Sequence, residues 1–161
     1  MAKRRPRRGG DRQGRGRRLR GRCRARRGAS ASIAEALGKL SGLQGKLAVD
    51  ATNHFQGERP PFESLAHEVK SIVGGPVSKA FNLNFARIYD VIDTQPIRPS
   101  NLYCGADEAR EVTEQLIRDA GYEPTRAGGL EHARLLEENL RLLIALDGPV
   151  FYRYWKPGEL S

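Results

Sequence analysis

The sequence predicts an α/β protein, a sheet with flanking helices preceded by a disordered basic arm. Three observations carry this. Residues 1–30 hold 14 basic residues against one acid, Asp11, whereas over residues 31–161 acids outnumber bases by 18 to 14. A folded body that is mildly acidic therefore follows an arm that accounts for the whole basic excess. Lys46–Ala51 is a brief apolar run ending in small and polar residues, as buried parallel strands do, and further short strands are read at Val77–Phe81, Asn101–Cys104 and Tyr122–Thr125. Helical spacing fills most of the intervals between them, the pattern of a parallel sheet with helical crossovers.

In chain order, Ser32-Ile33-Ala34-Glu35 is a capping-box pattern, with Ile33, Leu37 and Leu40 on one face; it predicts a short helix. Lys46 to Ala51 is the first strand and Thr52 to Pro61 a loop. Phe62, Leu65, Val69 and Val73 return to helical spacing until Gly74-Gly75-Pro76 stops it, and the second strand, Val77–Phe81, follows. Asn82–Ser100 is less regular, with a helical turn at Ala86–Val91 and a linker punctuated by Pro96 and Pro99. After the third strand, Asp107–Ala120 is a helix with Val112, Leu116 and Ile117 inward, ended by Gly121. Tyr122–Thr125 is the fourth strand. Glu131–Leu146 is the longest helix, its apolar stripe formed by Leu135, Leu136, Leu140, Leu143 and Leu146.

Cys23 and Cys104 lie far apart, with no CxxC pair and no histidine at ligand spacing, so neither a zinc site nor a disulfide framework is indicated and a reducing cytoplasm fits. No apolar run approaches the roughly 20 residues that span a bilayer, and no apolar segment follows the arginines as in a signal peptide; a cytoplasmic protein with no membrane partner is expected. His54, His67 and His132 have no mutual metal spacing and read as solvent-facing or hydrogen-bonded. Cys104 reads as a buried thiol at a strand end, and Glu137 and Glu138 as the solvated or capping edge of the long helix.

Four stretches, in this order and spacing, carry more information: VDATN at Val49–Asn53, VSKAFN at Val77–Asn82, LYCGADEAREVTEQLI at Leu102–Ile117 and GYEPTRAGGLEHARLLE at Gly121–Glu137. Together they resemble the NADP-dependent deazaflavin (coenzyme F-420) reductases, which pass hydride between NADP and a 5-deazaflavin. The resemblance covers about Ser32 to Leu146 and implies a partial Rossmann-like parallel sheet, with residues 31–161 as the C-terminal part of an NADP oxidoreductase domain. It implies small-molecule cofactors, NADP and the deazaflavin, and permits a homodimer. In open α/β sheets ligands lie beyond the carboxyl ends of strands, so Thr52, Asn53, Phe81 and Asn82 would by resemblance flank the nicotinamide and deazaflavin rings. The alternative for Asn53 is a turn, and for Phe81 a place in the core. Gly128-Gly129-Leu130 would approach the substrate, or serve as a structural turn. No catalytic acid/base dyad is read, because hydride transfer between two bound cofactors needs placement more than proton chemistry.

A complete reductase of this type opens with a strand, a GxGxxG turn and a helix, whose glycines let the backbone approach the pyrophosphate. Here Gly9, Gly10, Gly14, Gly16 and Gly21 are scattered among arginines with no apolar strand before them. Two readings of residues 1–30 stand. One is a genuine disordered arm able to bind nucleic-acid phosphates through salt-sensitive contacts, although the first aromatic is Phe55 and the arm offers no stacking group. The other is a frame error: codons can be chosen for Gly10 to Arg26 that, read one base later, give an alanine-rich helix and a Val/Ala strand, the element such reductases place before this point. On that reading the chain as given is incomplete and inactive, and the adjacent upstream frame encodes the dinucleotide-binding half.

Overall fold

In the computed structural model, which describes residues 29–55 and 61–158, apolar side chains leave both faces of four short strands and are covered by helices on each side. The strands β1 (Ala48–Asp50), β2 (Val77–Lys79), β3 (Ser100–Gly105) and β4 (Glu123–Arg126) form one sheet in the order β1-β2-β3-β4. Successive residues point to opposite faces, so on β3 Tyr103 enters one core and Cys104 the other. The helices α1 (Ala29–Gly38), α2 (Leu65–Val73) and α4 (Ala133–Ala145) cover the Cys104 side. The helix α3 (Arg110–Asp119) and a 3-10 segment, Ala86–Thr94, cover the Tyr103 side around Ile92, Ile117 and Tyr122. Among the described residues no helix is long and apolar enough to cross a membrane. The basic arm, residues 1–28, lies outside the described residues.

The sheet is mixed. β1 and β2 run parallel, as do β3 and β4, but β2 and β3 are antiparallel, pairing Ser78 with Gly105 and Lys79 with Cys104. The expected parallel arrangement is therefore corrected at the central pairing, within the same α/β class. The cause is the connection. Parallel neighbours need a crossover that returns the chain to its starting edge; the 3-10 segment after β2 makes no such return and delivers the chain into β3 where β2 ended. Close approach at that pairing explains Gly105, since a Cβ there would sit 2.5 Å from Ser78 Cα.

The helices show how local chemistry sets their limits. Ser64 caps α2 by accepting from His67 N at 3.3 Å, and Gly74 closes it in the left-handed conformation, its N–H donating to Lys70 O. On α3 the inward face is Ala109, Thr113 and Ile117, whereas Val112 and Leu116, expected inward, are 48% and 45% exposed. The buried position goes to a threonine because its hydroxyl is satisfied: Thr113 Oγ1 donates to Ala109 O and accepts from Ser78 Oγ, both at 2.7 Å. On α4, Leu136, Leu140 and Leu143 are buried as expected, each contributing about 1.5–3 kcal/mol, but Leu135 and Leu146 are exposed. The apolar positions encircle more of this helix than one sheet face can cover.

Candidate functional site

The first two strands end beside one another, and the residues leaving them are held by a buried charge. Asp50 closes β1 with a local turn, its Oδ1 accepting from Thr52 N at 2.9 Å and from Thr52 Oγ1 at 2.7 Å. Lys79 closes β2 with no solvent exposure. Its ammonium has three N–H groups, and three oxygens receive them: Asp50 Oδ2 at 2.6 Å, the Thr52 carbonyl at 2.8 Å and Glu137 Oε1 at 2.9 Å. The same Glu137 oxygen accepts from Leu65 N at 2.9 Å, the opening N–H of α2. One ammonium thus ties β1, β2, α2, α4 and the Thr52 loop together. Glu137, expected at the solvated or capping edge of the long helix, is only partly solvated: its side chain is 11% exposed and its carboxylate faces Lys79 across the sheet end while it also takes the opening N–H of α2. Beneath it Glu68 is buried with Oε2 unpartnered, and its carboxyl is raised above the ordinary range, first by burial and then by the charge of Asp50.

Beyond this support lie two asparagines in mutual contact. Asn53 Nδ2 donates to the Asn82 carbonyl at 2.7 Å, and Asn82 Nδ2 donates to Asn53 Oδ1 at 2.9 Å and to Leu136 O at 3.2 Å. Those two acceptors orient the Asn82 amide and leave its Oδ1 buried with no hydrogen-bond partner. Between β2 and Asn82 stands Phe81 at φ 64°, unusual for a bulky side chain. Asn101 at the start of β3 holds this backbone, its Oδ1 accepting from Phe81 N at 3.2 Å, while Asn84 N donates to Phe81 O at 3.1 Å. Strain of this kind costs of order 1–3 kcal/mol and collects at ligand sites.

Thr52, Asn53, Phe81 and Asn82 line a single concavity of about 490 Å³, together with Phe55, Phe85, Leu140 and Ile144. Gly128-Gly129-Leu130 does not line it. That segment turns the chain out of β4: Gly128 has φ 100° and its carbonyl accepts from Gly105 N at 3.1 Å, Gly129 N donates to Glu131 Oε1 at 3.1 Å, and Leu130 is core. Cys104 is buried at the end of β3, where burial pushes its thiol up to about 12. The residues that sequence reasoning missed are Asp50, Lys79, Asn101 and Glu137. A lysine within the run Val77–Phe81, opposite an aspartate closing the preceding run, was the available signal.

A protein from Arthrobacter sp. FB24, described as a candidate F-420-dependent NADP reductase, matches with a TM-score of 0.61 and 25% identity, over 79% of this chain and 66% of that one. The fold is similar to that reductase's. A hypothetical protein from Sinorhizobium meliloti matches with a TM-score of 0.52 and 24% identity, over 63% of this chain and 53% of that one. The chain thus spans less than two thirds of either neighbour's length. No protein-family model and no curated protein matches it.

Proposed function

We propose that the concavity beside Asn53 and Asn82 is the ring-binding end of an NADP-dependent oxidoreductase of the deazaflavin reductase type. The observation that carries this is a strained Phe81, held by Asn101 and Asn84 next to the Asn53–Asn82 pair, on the lip of an apolar-walled hollow where two parallel strands end. The residues fit flat, amide-bearing rings: Asn82 keeps a buried acceptor that no group of the fold satisfies, which a ligand N–H would complete. When bound, NADP(H) and the deazaflavin supply the hydride and its acceptor. The protein's own part is placement. Asn53 and Asn82 orient a ring edge, Phe81 and Phe85 form its apolar wall, and the Lys79 charge network fixes the loop that carries Thr52 and Asn53. The same surroundings shed water from the ring faces.

The pyrophosphate end of a dinucleotide needs a glycine-rich turn at a helix start, and no such element occurs among the described residues. In this reading that end belongs to a half-domain encoded in the adjacent frame upstream, with residues 31–161 as the C-terminal part of the oxidoreductase domain. The nucleotide sequence upstream of the codon for Ala31 tests this part directly, because stop codons in that frame would defeat it. In a chain extended through that frame, hydride transfer from NADPH to the deazaflavin is expected. There Asn82→Ala should lower kcat by roughly tenfold or more while NADPH affinity changes by less than about threefold, the signature of an interaction that matters most during transfer. Equal losses in binding and turnover would refute the assignment of Asn82.

A further inference from the structure

On the far edge of the sheet from the asparagine pair, a second concavity of about 620 Å³ runs along β4 between α3 and the C-terminal segment. It shares no lining residue with the first. Its chemistry is cationic and aromatic: Arg110, Arg126, Arg153 and Lys156 line it with Tyr154 and Trp155. Arg110 shares Glu114 with Arg118, each at 2.9 Å, Arg126 is paired with Asp107, and Lys156 is partnered as well, which leaves Arg153 as the cation of this set whose donors are unmet.

Two features ask for a ligand. A guanidinium is always charged and only donates, yet Arg153 has Nε and Nη1 sealed from solvent with no acceptor. Unpaired buried donors are costly, and oxyanion oxygens are the acceptors that best satisfy an arginine. Beside it, Tyr154 and Trp155 leave 50% and 53% of their surface exposed. Aromatic faces flanked by arginines are a stacking platform for planar, anion-bearing molecules. We infer that this groove binds a nucleotide, with the phosphate on Arg153 and its cationic neighbours and the base against Trp155. Its volume suits a ligand of that size.

Trp155 is the chain's single tryptophan, so its fluorescence reports this groove alone. ADP titrated into the full chain should produce a saturable change in that emission, with adenosine and inorganic phosphate each at least about tenfold weaker, since each keeps only one half of the recognition. Binding should fall steeply with salt. Arg153→Gln should weaken ADP by about tenfold or more with an unchanged circular dichroism spectrum, in line with loss of a charge-assisted hydrogen bond. Should that variant fail to fold, Arg110→Gln, at a side chain 56% exposed, should still weaken binding several-fold. Asn82→Ala should leave ADP binding at Trp155 untouched whether or not it affects hydride transfer. The inference is overturned by a flat emission up to about 5 mM ADP, far weaker than nucleotide sites bind. Equal affinity in the folded Arg153→Gln and Arg110→Gln variants, loss of ADP binding in Asn82→Ala, or tighter binding of a single-stranded DNA octamer than of ADP would overturn it too.

Discussion

Replacing Lys79 with methionine keeps most of the buried stem and removes only the ammonium, so its cost measures the charge network. In the native protein the ammonium meets Asp50 Oδ2, the Thr52 carbonyl and Glu137 Oε1 at 2.6, 2.8 and 2.9 Å, with 1% and 11% of the two acidic side chains exposed. The variant leaves two carboxylates facing each other without a counter-charge. Asp50 keeps the Thr52 donors and Glu137 keeps Leu65 N, but neither carries a full positive charge. Breaking a buried pair in this way costs about 3–5 kcal/mol, out of a total stability of roughly 5–15 kcal/mol. Urea denaturation followed by circular dichroism should show that loss, with a melting temperature lower by about 10 °C. Combining Lys79→Met with Asp50→Asn and Glu137→Gln should recover a good part of it, because neutral amides need no counter-charge. Lys39→Met, which breaks only the exposed pair with Glu35, should change little. A loss under about 1 kcal/mol for Lys79→Met, the size of a surface pair, would show that the network does not hold the strand ends.

Two further outcomes follow from burial. Leu140→Ala should destabilise by about 2–5 kcal/mol as a core cavity forms, whereas Leu135→Ala on the same helix, 60% exposed, should be close to neutral in the same urea titration; equal losses would show that the exposed face of α4 is covered in solution. Glu68 is held above the ordinary carboxyl range by burial and by Asp50, so its contribution to stability is present at acid pH and is lost as pH rises through its raised value. Glu68→Gln should therefore raise the melting temperature at pH 7 and have less effect near pH 4; the opposite order would mean that the carboxylate is stabilised as the anion.

The parts of this architecture that rest on local pattern were legible in the sequence. Short strand-like stretches between helical spacings mark all four strands, Gly74 ends α2 where the glycine signal stands, and the convergence of Thr52 and Asn53 with Phe81 and Asn82 follows once the first two strands are neighbours and parallel. Pairing direction is another matter. Nothing within Val77–Phe81 or Asn101–Cys104 encodes whether the two strands run together or opposed; the intervening chain decides it. Helix faces were misjudged where hydrophobicity was the guide, since Thr113 is buried by hydrogen bonding and Val112 is not. Lys79 and Glu137 escaped notice because a charge in a strand and a charge in a helix, far apart in sequence, acquire meaning only when packing removes both from water.

The C-terminal segment touches the asparagine loop. Tyr152 Oη donates to Asn84 Oδ1 and accepts from Leu102 N, each at 3.3 Å, and Ser100 N donates to Tyr152 O at 2.7 Å. Ribosomes make protein from the N-terminus at about 5–20 residues per second, so the loop after β2 emerges several seconds before the tyrosine that braces it. During that interval the strained turn at Phe81 lacks one of its supports. The site is thus assembled late: the hollow is walled only once Leu140 and Ile144 have emerged, and it is braced by a residue about seventy positions downstream of the turn.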